Sequence, residues 1–430
     1  MNYEIEGGIP LYGSIKASGS KNICLAIMAG ALLCKGQTTL SNVPHITDVY
    51  NMMEVIKSLG VKCEFDSIQP NTIIIDATNI TNVVTEFKYV SKMRASFNVL
   101  GPILARKGEA SVSRPGGCNI GNRPIDLHIM ALQKLGAEVI DTKDMIRMRH
   151  NGLKGAGISF DTITVGGTQH AITGATLAEG ETIIVNAAIE PEVTSLIDFL
   201  NQAGANIVID KQNTIKIYGV NQLNGINFRI PFDRIEAGTY LAFGAMTKGD
   251  ITIEDVDLNH IYSFLYKLEE IGVNIEQISG TKEYLSKVRV YGTNKIKACN
   301  LSTAVFPGFP TDLQPVYSTL MTIADGVSKI TENIFSSRFK FMFELQRMGA
   351  NCDCNNNSNV AIVIGINELN GAKEIIAPDL RGGTALICAA LGAKGTSIIE
   401  DKHGYISRGY ENIVEKITSL GGKIKLFESE

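Results

Sequence analysis

The loop at positions 114–123 holds the residues best suited to chemistry, in the order Arg-Pro-Gly-Gly-Cys-Asn-Ile-Gly-Asn-Arg. Its three glycines free the backbone of Cβ constraints, so the main chain can approach a ligand closely. A guanidinium group from Arg114 or Arg123 near Cys118 would stabilise the thiolate, which can exchange protons or attack an electrophile. The alternative is a flexible surface turn with an incidental cysteine.

The segment Ser18-Gly19-Ser20-Lys21-Asn22 stands directly before an apolar helical stretch. Backbone N–H groups, a hydroxyl and an ammonium group would therefore meet at the positive end of a helix, which predicts a cradle for an anion. The alternative is an ordinary serine N-cap followed by a solvated Lys21.

Several arginines lie in short uncharged or glycine-bearing segments, namely Arg94, Arg381 and Arg408. Arginine suits the bidentate capture of carboxylate and phosphate, although each of these could also be a surface or ion-pair residue. Asp312 follows a proline turn and is either a general base or part of a helix N-cap.

The six histidines are scattered, and we expect structural or solvent-facing roles for them, including His128.

Composition excludes several classes of protein. With 430 residues and a net charge of −4, the chain has no basic run that would bind nucleic acid or an acidic membrane surface. Its most apolar stretch is too short to span a membrane and no secretory signal is evident, so we expect a cytoplasmic protein. The eight cysteines are not grouped as metal ligands, and Cys24, Cys34 and Cys388 are expected to be inert core thiols.

An internal repeat organises the chain. A helical stretch ending in glycine, followed by a short alternating stretch, occurs six times, with the glycines at 60, 136, 204, 272, 349 and 421. A second set of helical stretches leads through glycines at 36, 108, 180, 249, 326 and 395 into further strands. Both patterns indicate a helix, a glycine cap and a strand, so the unit has about 70 residues and two helices.

The second set of helices predicts the architecture. The stretches at 23–29, 239–245 and 384–390 lack a continuous polar face, so these helices should be buried and the sheets should face outward. We predict an α/β protein of two domains with three repeats each. The boundary is expected near Pro231, and the first twenty residues could pair with either domain.

Taken together, these segments resemble the UDP-N-acetylglucosamine 1-carboxyvinyltransferases, the enolpyruvyl transferases of peptidoglycan synthesis. The resemblance is carried, in order along the chain, by Ser18–Asn22, Met93–Ser96, Pro115–Cys118, Arg123–His128, Asp233–Glu236, Phe309–Asp312, Asp379–Arg381 and Arg408–Glu411.

The resemblance implies transfer of the enolpyruvyl group of phosphoenolpyruvate to the 3-hydroxyl of UDP-N-acetylglucosamine, with release of phosphate and without a metal or organic cofactor. It also implies an inside-out α/β prism, which agrees with the buried helices. The domains would be 21–230, which carries the Cys118 loop, and 1–20 with 231–430, and the active site would lie in the cleft between them. Small-molecule substrates are the expected partners, and the oligomeric state is left open.

By position, the resemblance assigns roles to individual residues. Cys118 would protonate the methylene carbon of phosphoenolpyruvate and can hold it as a covalent adduct, and Asp312 would accept the proton of the sugar hydroxyl. Phosphoenolpyruvate would be bound by Lys21, Asn22, Arg123, Arg381 and Arg408. The nucleotide sugar would contact Arg94, Arg123, Pro124, Ile125, Asp126, Leu127, Thr164, Val165, Gly166, Asp312 and Ile334.

The chain departs from the family pattern at a few positions. Ser336 and Ser337 stand where Glu-Asn is expected, and Thr162 replaces a residue that is often basic, so contacts to the sugar nucleotide should differ in detail.

Two other functions compete with the one implied. The 5-enolpyruvylshikimate-3-phosphate synthases share the fold but are not expected to carry the Pro-Gly-Gly-Cys loop, and a nucleotide-sugar regulator or a thiol redox sensor would not need all the charged residues.

Overall fold

The computed structural model describes the chain except positions 86, 116–120, 122–123, 142–144, 279, 281–285, 294, 355–357 and 429–430. By its internal contacts the chain divides into two compact units, which are described separately. With the loop at 116–123 left aside, unit A comprises residues 19–231 and unit B comprises residues 1–18 and 232–430.

The helices of unit A are α1 Lys21–Gly30, α2 Thr47–Ser58, α3 Phe87–Val90, α4 Leu100–Lys107, α5 Asp126–Lys134, α6 Val165–Ala175 and α7 Pro191–Gln202. Those of unit B are α8 Arg234–Met246, α9 Tyr262–Glu270, α10 Gln314–Met321, α11 Lys340–Arg347, α12 Leu380–Gly392 and α13 Ile413–Ser419. Short 3₁₀ helices span Ala31–Leu33, Arg94–Val99, Leu258–His260, Thr311–Leu313 and Ile406–Arg408.

The strands up to the end of unit A are β1 Asn2–Glu6, β2 Tyr12–Lys16, β3 Cys34–Lys35, β4 Gln37–Ser41, β5 Lys62–Phe65, β6 Ile73–Asp76, β7 Val84–Thr85, β8 Glu109–Ser113, β9 Glu138–Asp141, β10 Met145–Arg149, β11 Gly157–Ser159, β12 Glu181–Val185, β13 Asn206–Asp210, β14 Thr214–Tyr218, β15 Leu223–Asn224 and β16 Asn227–Arg229. They continue as β17 Asp250–Val256, β18 Asn274–Ile278, β19 Ser286–Tyr291, β20 Leu301–Ser302, β21 Val327–Thr331, β22 Asn351–Cys354, β23 Val360–Ile364, β24 Ile375–Ile376, β25 Thr396–Glu400 and β26 Lys423–Phe427.

Each unit contains three four-stranded sheets of one common plan within the described residues. The orders are β16-β4-β6-β5, β7-β8-β10-β9 and β11-β12-β14-β13 in unit A, and β2-β17-β19-β18, β20-β21-β23-β22 and β24-β25-β1-β26 in unit B. In every sheet the first strand pairs in parallel with the second, and the other pairs are antiparallel. The N-terminal strands complete unit B, because β1 pairs with β25 and β26 and β2 pairs with β17.

The glycines that follow the amphipathic helices end those helices as predicted. All six, at 60, 136, 204, 272, 349 and 421, have a positive φ between 76° and 111°. A left-handed residue at this position satisfies the last helical carbonyl groups and is readily adopted only by glycine. The prediction of a helix, a glycine cap and a strand is therefore confirmed for this set.

The second set of glycines contains one exception. Five of them have a positive φ, but in the fourth repeat Lys248 takes the left-handed conformation, with φ of 54°, and Gly249 does not. Gly249 is required there for another reason. A Cβ atom on it would lie 2.1 Å from the carbonyl oxygen of Leu11, where the chain enters β2. Glycine allows the two backbones to approach.

The predicted buried helices are confirmed. Every residue of the stretches at 23–29, 239–245 and 384–390, which belong to α1, α8 and α12, is buried. Burial of a leucine or isoleucine side chain contributes about 1.5–3 kcal/mol, so such helices are a main source of stability. The strands around them alternate between buried and more exposed residues, as β12 and β23 show. This is the expected inside-out arrangement of an α/β fold.

Candidate functional site

Asp312 is held between two arginines in unit B. Its Oδ1 accepts a hydrogen bond of 2.8 Å from Nη2 of Arg338, and its Oδ2 accepts one of 3.2 Å from Nε of Arg381. Nη2 of Arg381 also lies 3.1 Å from Oδ2. The side chains of Arg338 and Arg381 are 2% and 5% exposed, whereas that of Asp312 is 26% exposed. The carboxylate is thus fixed on the protein side and remains accessible.

Local structure holds this cluster in place. Asp379 caps α12 by accepting hydrogen bonds from the backbone N–H groups of Arg381 and Gly382, which orients the first turn carrying Arg381. Leu313, next to Asp312, packs on Gly238 of α8, where an added Cβ would lie 2.7 Å from the leucine. Asp312 is not a helix cap, because the N-cap residues of the 3₁₀ helix Thr311–Leu313 and of α10 are Pro310 and Leu313, and among the described residues neither helix has a side-chain cap hydrogen bond. That alternative is therefore wrong.

Glu332 connects the Asp312 segment to the loop that carries Ile334. This buried carboxylate accepts hydrogen bonds from the hydroxyl groups of Thr303 and Thr311 and from the backbone N–H groups of Ile334 and Phe335. Four donors compensate for the cost of burying the charge. The side chain of Ile334 is 39% exposed. The loop therefore presents an apolar side chain next to the segment that carries Asp312.

The cluster has a cationic excess. Two guanidinium groups and one carboxylate leave a formal charge of +1 by simple counting. Among the described residues, Nε of Arg338 and Nη1 of Arg381 are buried without a hydrogen-bond partner. Burial alone would lower the pKa of Arg381, but Tyr410, Asp312 and Asp233 raise it. A permanently charged arginine with an unused N–H group is suited to an anionic ligand.

Arg381 is also packed against the segment that carries Arg408. Its guanidinium carbon lies 5.3 Å from the centroid of the Tyr410 ring, and the Tyr410 hydroxyl is 3.0 Å from Oγ1 of Thr239. Arg408 ends the 3₁₀ helix Ile406–Arg408 and is half-buried. Arg381 thus contacts Tyr410, which follows Arg408 by two positions in the same segment.

Ser18, the last residue of the N-terminal part of unit B, is anchored by a charged network. Its N–H donates to Glu236 at 2.6 Å, and its hydroxyl donates to Glu411 at 2.7 Å. Nζ of Lys416 donates to the Ser18 hydroxyl and to Glu236 at 2.6 and 2.7 Å. Burial raises the pKa of Glu236, and Lys416 opposes this shift. The network fixes the point where the chain leaves unit B for α1.

For Lys21 in unit A, the sequence left open an anion cradle or a serine N-cap followed by a solvated lysine, and the structure decides part of this choice. Ser20 caps α1 by accepting a hydrogen bond from the Ile23 N–H group at 3.4 Å. Lys21 is not solvated, since its side chain is 12% exposed and its Nζ lies 3.4 Å from Oδ2 of Asp48, in the first turn of α2. Asn22 is half-buried. Asp48 balances the charge of Lys21, so the N–H groups at the start of α1 are the feature suited to an anion.

Three segments of unit A that were assigned to the nucleotide sugar converge. Nη2 of Arg94 donates a hydrogen bond of 2.7 Å to the carbonyl oxygen of Pro124. Thr164 caps α6 by accepting from the Gly167 N–H group. A Cβ atom on Gly166 would lie 2.3 Å from Cε1 of His128, so this ring packs directly on the first turn of α6. The sequence motifs 94, 124–127 and 164–166 thus meet around His128.

The centre of this convergence is a cluster of three rings, Phe97, His128 and His170, named here the His170 cluster. Nδ1 of His170 is 3.1 Å from Nδ1 of His128 and 3.0 Å from the carbonyl oxygen of Gly166, and Nε2 is 3.2 Å from the carbonyl oxygen of Phe97. The ring centroids lie 4.7–5.6 Å apart. The expectation of a structural role is confirmed for His128 and His170.

His170 should make the protein less stable in mild acid. Burial lowers its pKa to about 4, and Arg94 contributes to the shift. The value in an unfolded chain is about 6.5, so between these limits the unfolded state binds more protons. The free energy of unfolding should therefore fall by about 2 kcal/mol from this group between pH 6.5 and 5. Urea unfolding at pH 7.5 and 5.0 measures the loss, which should be smaller in His170→Asn than in the exposed control His403→Gln. Equal losses in the two variants would contradict this assignment.

Some predicted residues lie outside the described part of the chain, namely Cys118 and Arg123. Among the described cysteines, Cys24, Cys34 and Cys388 are buried, and burial raises the pKa of each thiol. Their expected status as inert core thiols is confirmed.

Sequence reasoning missed Arg338, Glu332, Asp48 and His170 as site residues. Arg338 and Glu332 belong to the segment Thr331–Arg338, and two opposite charges in a short polar loop could have drawn attention to them. For His170 and Asp48 the sequence contains no such signal, because each is one polar residue of a helix.

No described helix is long and apolar enough to cross a membrane.

The chain is similar along nearly its full length to proteins of known name. A family described as EPSP synthase (3-phosphoshikimate 1-carboxyvinyltransferase) matches residues 5–417. A UDP-N-acetylglucosamine 1-carboxyvinyltransferase of Halothermothrix orenii is 41% identical over 98% of both chains. Proteins of the same name from Koribacter versatilis and Campylobacter fetus are each 43% identical, over 98% and 99% of this chain and 96% and 99% of theirs.

Solved structures show the same fold. The enolpyruvyl transferase NikO of Streptomyces tendae superimposes with a TM-score of 0.87 at 22% identity, covering 99% of this chain and 98% of its own. An EPSP synthase of Acinetobacter baumannii gives a TM-score of 0.75 at 17% identity over the whole of both chains. The predicted fold class, an α/β protein of the enolpyruvyl transferase type, is confirmed.

Proposed function

The chain belongs to the UDP-N-acetylglucosamine 1-carboxyvinyltransferases, and from this membership we propose that it transfers the enolpyruvyl group of phosphoenolpyruvate to the 3-hydroxyl of UDP-N-acetylglucosamine. Phosphate is released. This reaction is the first committed step in the synthesis of peptidoglycan precursors. The observation within the structure that supports this reaction best is the Arg338–Asp312–Arg381 cluster. It combines an accessible carboxylate with buried cations, as the addition of an alcohol to an anionic enol requires.

The proposed addition requires an acid at one carbon and a base at the hydroxyl group. Asp312 accepts the proton of the sugar 3-hydroxyl while the oxygen bonds to C2 of phosphoenolpyruvate, and Cys118 delivers a proton to the methylene carbon. The tetrahedral adduct formed in this way has a methyl group, and loss of phosphate together with one proton of that methyl group then yields the enol ether. Each oxygen of Asp312 can accept more than one hydrogen bond, so its pairing with arginine leaves room for the hydroxyl group.

Phosphoenolpyruvate is proposed to be bound by cations from both units. Arg381 and Arg408 contribute from unit B, and Arg338, with its unpartnered N–H group, joins them. Lys21, Asn22 and Arg123 contribute from unit A. Charge-assisted hydrogen bonds of this kind stabilise a phosphate more as it leaves than they stabilise the bound substrate. We propose that the two units act together on one pair of substrates, and the division at 1–20, 21–230 and 231–430 stays a prediction.

The nucleotide sugar is proposed to lie against the converging segments of unit A. Arg94, Thr164 and the Pro124–Leu127 segment surround the His170 cluster, and Val165 and Gly166 form the first turn of α6, which favours a phosphate group. In unit B the exposed side chain of Ile334 offers an apolar contact, and Asp312 contacts the sugar. Thr162 and Ser336 are exposed, and their effect on binding stays a prediction. Both substrates are metabolites of the cytoplasm, which is where we place the protein.

A phosphate-release assay with two acceptors tests the proposal. With phosphoenolpyruvate present, UDP-N-acetylglucosamine should support release, and shikimate 3-phosphate should not. The relatives at 41–43% identity favour the first acceptor. Release with shikimate 3-phosphate alone would identify a 5-enolpyruvylshikimate-3-phosphate synthase. Release with neither acceptor would favour a protein that only binds nucleotide sugars.

A further inference from the structure

His170 contacts each of the three segments of unit A that are assigned to the nucleotide sugar. Its Nε2 reaches the Phe97 carbonyl group in the 3₁₀ helix that begins with Arg94. Its Nδ1 reaches His128 in the first turn of α5, directly after the Pro124–Leu127 segment. It stands one turn after Gly166 in α6 and contacts that carbonyl oxygen.

The ring can connect these segments because it is neutral and fully enclosed. Its exposed fraction is 0%, so water does not compete for either nitrogen. A neutral imidazole has one N–H group and one acceptor nitrogen. With the proton on Nε2, His170 donates to the Phe97 carbonyl group and accepts from His128 through Nδ1, and its approach to the Gly166 carbonyl oxygen is a packing contact without a hydrogen bond. The side chain of His170 thereby helps to fix the position of α5 relative to α6 and to the Arg94 segment.

Further polar contacts connect the same segments. Arg94 is bonded to the Pro124 carbonyl group, and Asn98 donates to Gln169, which stands next to His170 in α6. Gly166 permits the close contact of α6 with the His128 ring. A change at His170 would therefore shift Arg94, the Pro124–Leu127 segment and the first turn of α6 relative to one another.

We propose that His170 is a positioning residue for the nucleotide sugar, which sets the binding geometry of UDP-N-acetylglucosamine through His128 without contacting the reacting atoms. The inference rests on the proposed function, because it takes the three segments as the nucleotide-sugar site. Loss of such positioning weakens binding of one substrate and leaves the chemical step intact.

The test compares His170→Phe with the partly conservative His170→Asn. Phenylalanine fills the space but has no polar atom, whereas the Oδ1 atom of asparagine can accept from His128. In His170→Phe the KM and the calorimetric Kd for UDP-N-acetylglucosamine should rise about tenfold, with kcat and the KM for phosphoenolpyruvate within about twofold of the unmodified protein. His170→Asn should restore most of the affinity.

A second variant of the same helix controls for loss of stability. Thr176→Val removes a buried hydroxyl group that donates to the Ile172 carbonyl group at the other end of α6, away from the three segments. It should lower the midpoint of urea unfolding without raising either KM. An unchanged Kd in folded His170→Phe, or an equal rise in Thr176→Val, would overturn the positioning role.

The two proposals fail in different ways. If the unmodified protein binds UDP-N-acetylglucosamine but releases no phosphate, the proposed reaction is wrong, and the Kd values of the variants still decide the role of His170. If the unmodified protein does not bind UDP-N-acetylglucosamine, both proposals are overturned.

Discussion

Replacement of Asp312 by Asn should lower kcat for phosphate release about 10³-fold at saturating substrates. Asparagine has nearly the same shape but cannot accept the proton of the sugar hydroxyl. It also leaves Arg338 and Arg381, which are buried, without their shared counter-charge. The measurement is steady-state phosphate release, with urea unfolding of the same preparation to establish that the protein is folded.

Asp250→Asn is the matched control for this prediction. Asp250 also pairs with an arginine through both oxygens, at 2.8 and 2.7 Å from Nε and Nη2 of Arg289, but on the exposed surface of β17. An exposed ion pair contributes about 0–1 kcal/mol, so this variant should keep its activity and most of its stability. If folded Asp312→Asn retained kcat within about tenfold, the role of Asp312 as base would be wrong.

Replacement of Cys118 by Ser should abolish or severely reduce phosphate release from phosphoenolpyruvate in the presence of UDP-N-acetylglucosamine. A hydroxyl group is a much weaker acid than a thiol and a weaker nucleophile than a thiolate, and a positioned acid typically contributes about 10²–10⁴-fold to the rate. Phosphate release at saturating substrates measures the loss, and undiminished turnover would contradict the assigned role.

Cys299→Ser provides the control for thiol loss in general. Cys299 is half-exposed, with its thiol 3.0 Å from Oε1 of Glu270, and belongs to none of the proposed binding segments. This variant should keep full activity. Intact mass measured after incubation with phosphoenolpyruvate separates the two forms of the Cys118 proposal. A covalent adduct that is absent in Cys118→Ser would identify a nucleophile, and turnover without an adduct would favour a proton donor.

The repeat and the buried helices could be predicted because they depend on residues close together in the chain. Gly60 ends α2 because only glycine readily takes the left-handed conformation, and the same reason applies at Gly421 after α13. The apolar stretch in α12 predicts burial without reference to any partner. Gly249 shows the limit of such local reasoning. The pattern predicted a cap there, whereas its contact with Leu11 explains the glycine.

For the candidate site, the sequence by itself determined which side chains are available, including Asp312, Arg381 and Lys21, and offered a serine cap before α1. Only the tertiary structure decided their partners. Arg338 and Arg381 are 26 and 69 positions from Asp312, and His170 is 42 positions from His128. No periodicity relates residues so far apart. They meet because the buried helices of each unit pack together and bring the first turns of those helices to the neighbouring loops.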